Sequence, residues 1–408
     1  MRARPSMKPS GLAWAPEVPA HWTVKKLAFI ASLKSGDSIT SDDIRDDGPY
    51  PVYGGNGLRG YADGFTHHGE YALIGRQGAL CGNINYAKGE FWASEHAVVV
   101  APREEVAVRW LGEVLRAMDL NQYSASAAQP GLAVDTISAL KVPIPPLKEQ
   151  RAIADYLDRE TARLDALVAA KERVLGLLAE KRRALITRAV TRGLDPCAPL
   201  RDSGIPWLGE IPAHWETSKF TWSVFIVEGQ VDPEVEPYCD MSLIAPNHVE
   251  SGTGRLLGQE TAGDQGAISG KYHCRRGDVI YSKIRPALRK ATIAIEECLC
   301  SADMYPLRAR DRLQPEFLLL YLLSEPFTTW AVLESNRVAM PKINREALSE
   351  IRIPVPSPAE QSLIVAHVQD ATARIDSIRS ATEGTLALLK ERRAALIAAA
   401  VTGQLEVA

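Results

Sequence analysis

Pro143-Ile144-Pro145-Pro146-Leu147-Lys148-Glu149-Gln150 returns later in the chain as Pro354-Val355-Pro356-Ser357-Pro358-Ala359-Glu360-Gln361. The match continues without a gap. Thr161-Ala162-Arg163-Leu164-Asp165 corresponds to Thr372-Ala373-Arg374-Ile375-Asp376, and Ala184-Leu185-Ile186 and Ala189-Val190-Thr191 correspond to Ala395-Leu396-Ile397 and Ala400-Val401-Thr402. Self-similarity of this extent means that one unit is written twice, so the fold turns on what each copy forms.

From Glu149 onward, apolar residues fall at Ile153, Leu157, Leu164, Leu167, Val174, Leu178, Leu185 and Ala189, with Glu160, Lys171 and Lys181 interrupting them. This is the spacing of a heptad seam. The second copy supplies Ile364, Val368, Ala371, Ile375, Ile378, Leu389, Leu396 and Ala400 in the same register. Ser357-Pro358-Ala359-Glu360 reads as a capping box with proline in the first turn, and Gly193 and Gly403 read as stops. Each segment is predicted to be one long helix, a rod of roughly 65 Å at about 1.5 Å per residue. Two surface helices, each buried on its own domain, would also give this pattern. The shared register favours mutual pairing, and repeats paired about a pseudo-two-fold axis must run antiparallel. Ser357 replaces Pro146 of the first copy, and Thr382 and Thr385 stand where Lys171 and Val174 do, which softens the symmetry.

Two further blocks recur. Val18-Pro19-Ala20-His21-Trp22 is echoed by Ile211-Pro212-Ala213-His214-Trp215, each preceded by a related segment, Ser10-Gly11-Leu12-Ala13-Trp14 and Ser203-Gly204-Ile205-Pro206-Trp207. Gly69-Glu70-Tyr71-Ala72-Leu73-Ile74 and Gly277-Asp278-Val279-Ile280-Tyr281-Ser282 are fainter partners, each an acidic turn entering a β-prone run. Between these anchors the halves diverge, so a repeated frame carries two different variable parts. The variable parts read as mixed α/β domains, with helical stretches expected at Val106 to Met118 and Pro315 to Leu333. The expected division is 1–142, 143–193, 194–353 and 354–408, with a domain alternating with a long helix.

The variable parts hold the candidate contact residues. In the first, Asn56 and Arg59 lie in a glycine-rich loop, and Arg76 and Gln77 lie between Gly75 and Gly78. Arg pairs with guanine edges and Gln with adenine edges in the major groove, and glycines let backbone approach a surface. In the second, Lys283, Arg285, Arg289 and Lys290 alternate with apolar residues, as a positive stripe beside a strand face would, and suit phosphate contact. Gln129-Pro130-Gly131 and Met340-Pro341-Lys342-Ile343-Asn344 occupy equivalent places before the two proline-rich segments. This adds Gln129, Lys342 and Asn344 as candidates.

Composition bounds these readings. The chain has 408 residues, 46% hydrophobic and 24% charged, enough for about two to four soluble domains. A net charge of -3 suits a nucleic-acid binder only if charge is segregated. Segregation is visible in a basic excess over residues 148–192 and in the cluster Arg275, Arg276, Lys283, Arg285, Arg289 and Lys290 against Asp278. No apolar run reaches membrane-spanning length, and no apolar stretch follows the basic residues of Met1 to Ser10, so a cytoplasmic protein is expected. The six cysteines show no Cys-x-x-Cys pair and are expected to be reduced thiols. No methyltransferase motif, dinucleotide or P-loop glycine pattern, zinc motif or nuclease carboxylate set survives inspection. The residues themselves therefore ask for no metal or cofactor.

The repeated Pro-x-His-Trp, the proline-rich Glu-Gln helix start, and the alternation of variable domain and long helix resemble the specificity subunits of Type I restriction-modification enzymes, across essentially the whole chain. The resemblance implies two target-recognition domains, each reading half of a bipartite, asymmetric double-stranded DNA sequence, separated by helices that pair as an antiparallel coiled coil. It implies docking of two modification subunits, which methylate adenine with S-adenosylmethionine, and through them two restriction subunits using ATP and magnesium. This chain would then be non-catalytic. A rod of roughly 65 Å spans about twenty base pairs and would set the spacing of the half-sites. The rival reading is a coiled-coil scaffold whose end domains bind protein.

Overall fold

The computed structural model describes residues 6–78, 80–124, 131–335 and 341–407. The chain divides into two compact units, Met1–Glu172 with Gly384–Ala408, and Arg173–Glu383. Each unit holds one mixed α/β portion and a part of both long helices, which run Leu147–Arg192 and Pro358–Val401.

In the first unit a six-stranded sheet has the order Ala31–Ser35, Ala97–Pro102, His67–Gly75, Ile84–Ala93, Tyr50–Gly54, Gly57–Ala62. Val98, Val99 and Val100 are buried on both faces of a central strand, where β-branched side chains pack well. The helix Val108–Ala117 lays Trp110, Leu111, Val114 and Leu115 into the same core as Ala72 and Ile74. In the second unit the order Val224–Ile226, Met304–Ala309, Val279–Ser282, Ala291–Ile293 repeats the succession of the first four strands. The repeat therefore extends into the variable portions as a common sheet, and what differs is added to it. The first unit adds the hairpin of Tyr50–Gly54 and Gly57–Ala62; the second adds a separate sheet of Gln230–Val231, Lys271–Cys274, Cys298–Cys300 and Leu243–Ile244.

The stretch expected to be one helix from Pro315 to Leu333 is two, Pro315–Leu323 and Glu325–Ser335. Pro326 has no N–H to give and crowds the carbonyl one turn earlier, while Ser324 Oγ donates to the Tyr321 carbonyl at 2.6 Å and closes the first helix. Residues 283–290 are not a strand either. They form a loop around a short 3-10 turn, Pro286–Leu288, with Arg285 and Arg289 both left-handed at φ 47°.

The function of the repeated motifs is plain in their contacts. Trp22 Nε1–H donates to Glu149 Oε2 at 2.9 Å, and His21 Nε2 lies 2.9 Å from Glu149 Oε1. Gln150 Oε1 accepts from the Ala107 N–H at 3.0 Å, at the start of the Val108–Ala117 helix. The second unit repeats each bond. Trp215 Nε1–H donates to Glu360 Oε1 at 2.9 Å, His214 Nε2 is 3.0 Å from Glu360 Oε2, and Gln361 Oε1 accepts from the Gln314 N–H at 2.8 Å. Both tryptophans and both glutamines are buried, so each donor and acceptor needs these partners. The expected capping box is accordingly half made. Ser357 Oγ accepts from the Glu360 N–H at 3.3 Å, but the Glu360 carboxylate turns to Trp215 and His214. Gly193 and Gly403 end the helices at φ 69° and 72°, and each packs against a Pro-x-His-Trp motif, Gly193 on Pro212 and Trp215, Gly403 on Pro19 and Trp22.

Within the first unit, Arg393 Nε is 2.8 Å from Asp165 Oδ1; within the second, Arg182 Nη2 is 2.7 Å from Asp376 Oδ2. Of the expected seam, Ile153, Leu157, Leu164, Ile364, Val368 and Ile375 are buried, and Leu178, Leu185, Leu389 and Leu396 are half-buried. Leu167, Val174 and Ile378 are exposed, which corrects the seam. A straight helix drifts from a 3.5-residue repeat, and the helix ends are buried largely by the α/β portions: Ile153 and Leu157 join the core of Trp22, and Ile364 and Val368 that of Trp215. Among the described residues no helix is long and apolar enough to cross a membrane.

Replacing Glu149 by Ala leaves the buried Trp22 N–H without an acceptor and is expected to cost about 1–3 kcal/mol; Glu149→Gln should cost less because its carbonyl oxygen still accepts. Glu360→Ala should behave alike. Thermal melts of the three variants check this, and a neutral result for either alanine variant contradicts the clamp.

Candidate nucleic-acid interface

In the first unit, close backbone approach assembles the candidate residues. Tyr50–Gly54 pairs parallel with Ile84–Ala93, and His67–Gly75 pairs antiparallel with Ala97–Pro102, so the turns after Gly54 and Gly75 adjoin. A Cβ on Gly75 would stand 2.2 Å from the Gly55 carbonyl oxygen, which only glycine permits. Asn56 is exposed at the hairpin tip, its Oδ1 accepting from Asn83 Nδ2 at 3.2 Å. Arg59 is exposed on the following strand with its stem over Gly54. Arg76 is half-buried and donates from Nη1 to Ser35 Oγ at 3.1 Å, while Gln77 is exposed with Oε1 3.1 Å from His96 Nδ1. Asn56, Arg59, Arg76 and Gln77 thus share one rim. Asn83 and His96 join it without having been singled out from sequence, because nothing local distinguishes them.

Gln129 lies outside the described residues. Its neighbour Gly131 bridges Gln77, and the Leu132 N–H donates to the Arg76 carbonyl at 3.0 Å. The second unit has the same arrangement, with Ile284 bridging Lys342 and the Ile343 N–H donating to the Lys283 carbonyl at 2.9 Å. The structure therefore brings together the two loop segments that the sequence set in equivalent places.

Only part of the second basic stretch belongs to this rim. Lys283 lies with Nζ 5.2 Å from the centre of the Tyr305 ring, and Arg285 is exposed with its N–H donating to the Pro341 carbonyl at 3.2 Å. Lys342 is exposed beside them. The other candidates are engaged elsewhere. Asn344 caps the helix Arg345–Glu350, its Oδ1 accepting from the Ala347 N–H at 2.7 Å, and Lys290 Nζ donates to the Pro246 carbonyl at 2.6 Å. Arg289 turns toward the long helices, where burial and the neighbouring Arg183 hold its guanidinium below its usual pKa. The expected positive stripe fails because left-handed backbone at Arg285 and Arg289 sends these side chains apart. Asp278 is buried in a bidentate pair with Arg308, at 2.8 and 2.7 Å, and so does not offset Arg275 and Arg276.

Among the described residues no group of three or more histidine, cysteine or carboxylate side chains is placed to hold a metal. Cys274, Cys298 and Cys300 are buried free thiols, and hydrogen bonding with Cys274 together with burial pushes the Cys298 thiol up, away from a reactive thiolate.

The sequence model described as the Type I restriction modification DNA specificity domain matches the chain twice, over residues 19–175 and 235–383. The chain is 28% identical over 415 residues to the Type I restriction enzyme EcoDI specificity subunit of Escherichia coli, covering 96% of this chain and 90% of that one. It is 45% identical over 139 residues to the EcoprrI specificity subunit of Escherichia coli, 33% of this chain and 35% of the relative. A chain solved in work on complex assembly and conformational transition of the type I R-M system aligns with a TM-score of 0.69 at 17% identity, over 95% of this chain and 99% of that one, a likeness of fold.

Gly75→Ala forces Cβ into the Gly55 carbonyl and is expected to cost about 1–3 kcal/mol, in the range of other overpacked sites. Gly89→Ala, whose Cβ meets nothing within 4 Å but whose φ of 85° strains any side chain, separates steric from backbone cost. Melting temperatures of both variants check this; a Gly75→Ala protein as stable as wild type rules out the close approach.

Proposed function

The chain belongs to the Type I restriction-modification DNA specificity family, and from that premise we propose how its parts divide the work. It is a specificity subunit with two recognition domains, and methyl transfer and DNA cleavage fall to partner subunits. Each α/β portion reads one half of a bipartite DNA target. In the first, the rim of Asn56, Arg59, Arg76 and Gln77, with Gln129 on the neighbouring segment, is the reading surface. In the second, Lys283, Arg285 and Lys342 contact phosphates. Asn344 positions its loop through the helix cap.

The observation that carries this reading is the doubled clamp, Glu149 with Trp22 and Gln150 with Ala107, then Glu360 with Trp215 and Gln361 with Gln314. Both copies fasten a recognition domain to a long helix in the same way, while the loops above differ. A common mounting with unlike reading surfaces suits an asymmetric target.

The two long helices pair as an antiparallel coiled coil. The ion pairs support this, because the repeat sets Asp165 equivalent to Asp376 and Arg182 equivalent to Arg393. Asp165 with Arg393 and Arg182 with Asp376 are thus the reciprocal contacts that an isologous pairing demands. Both pairs are partly exposed and set register more than stability. The helices set the half-site spacing and dock modification subunits. Equivalent apolar residues left in solvent, Leu167 with Ile378 and Leu177 with Leu388, support docking of one partner per copy, and so of two. S-adenosylmethionine, ATP and magnesium serve the partners.

Mapping methylated adenines in cells carrying this chain with its modification subunit should reveal one bipartite motif; the absence of a bipartite motif removes this reading. Arg76→Ala is expected to relax one position of one half-site, a loss of about 1–3 kcal/mol there, and to leave the other half unchanged. Inserting about four residues, one helical turn, in either long helix should change the spacer and not the half-sites. An unaltered spacer would count against the helices as its ruler.

A further inference from the structure

In the second unit a cavity of about 110 Å³ is lined by Arg182 and Arg183 of the first long helix, Asp376 and Arg379 of the second, Arg289, and the turn Ser251-Gly252-Thr253. Its charges are unequally matched. Asp376 is taken by Arg182 at 2.7 Å, and Arg379 is taken by Glu250 and Glu383 at 2.6 and 3.0 Å. Among the described residues Arg183 reaches only Glu325, at 3.7 Å. Arg289 makes no side-chain hydrogen bond or ion pair to any described residue, although its guanidinium is half-buried and lies against Gly252. Nε of Arg182 and Nε of Arg183 are buried N–H donors without an acceptor.

Half-buried guanidinium groups beside one cavity are costly unless something accepts from them. A carboxylate offers acceptors in one plane, whereas a tetrahedral oxyanion offers them in several directions and so can serve two guanidinium groups from different elements, Arg183 and Arg289. The space admits such a group with water. We propose that this cavity is an oxyanion site that takes a single phosphate group, gripped by Arg289 and Arg183.

The phosphate is supplied by a DNA backbone or by a free phosphate compound, and the site does not depend on the DNA reading proposed above. It is particular to the second unit, because the repeat sets Ala394 at the position of Arg183. An anion there neutralises the half-buried arginine pair and ties the 251–253 turn to both long helices within the unit. Burial and Arg183 hold the Arg289 guanidinium below its usual pKa, so an anion beside the pair is favoured.

The full chain is melted in inorganic phosphate and in chloride at equal ionic strength. Phosphate is expected to raise the wild-type Tm by about 2–4 °C, and Arg289→Met and Arg183→Met should each abolish the rise. In phosphate-free buffer Arg289→Met should melt no lower than wild type, because it removes an unpaired charge; a markedly lower Tm contradicts the proposal. In a second arm, binding to a DNA duplex is followed against salt. If DNA supplies the phosphate, Arg289→Met lowers the log-log salt slope by about one, and free phosphate alone moves the Tm little. Should Arg289→Met fail to fold, Arg183→Met carries both arms. No phosphate-specific stabilisation together with an unchanged salt slope overturns the site.

Discussion

A buried indole N–H must find an acceptor, and in both units it finds a glutamate in the first turn of a long helix. The carboxylate suits that place twice over, since it accepts from the tryptophan and lies near the positive end of the helix. The adjacent glutamine satisfies the first N–H of a helix in the α/β portion and donates back to the proline-rich segment that precedes it. Four elements are therefore fixed by two consecutive side chains. The start of the rod, its angle to the domain and the position of the sheet behind that helix all depend on this junction.

The clamp, the shared four-strand succession and the glycine stops recur, and large buried side chains, Trp22, Trp110, Trp215 and Phe317 among them, lie beneath or beside them. The loops that carry Arg76, Gln77, Lys283 and Lys342 stand at the edge of this frame and change without disturbing it. Their backbones are nevertheless held by equivalent bonds, from Leu132 to Arg76 and from Ile343 to Lys283. Side chains are free to diverge where the backbone is braced.

The long helices show the limit of reading a seam by spacing. Leu167, Val174 and Ile378 fit the heptad and are exposed, whereas Ile186, Leu386 and Thr382 are buried. Burial along a rod depends on what lies beside each turn, and at the ends this is largely the α/β portion. The candidate contacts divide for a similar reason. Asn56, Arg59, Arg76 and Gln77 come together because short glycine turns bind neighbouring residues to one rim. Arg289, Lys290 and Asn344 lie apart from it because their directions follow from a left-handed residue, a carbonyl far along the chain and a helix cap.

The sequence by itself determined that a unit is written twice, that each copy contains a long helix bounded by a Glu-Gln start and a glycine stop, and that the parts between differ. Periodicity, proline and glycine act over one or two turns, so these features are local and can be read directly. Tertiary structure alone decided that Glu149 closes on Trp22 and Glu360 on Trp215, that Asp165 meets Arg393, and that four arginines surround one cavity. Such pairings join residues far apart in the chain, and they are selected by which buried donors and charges lack any nearer partner.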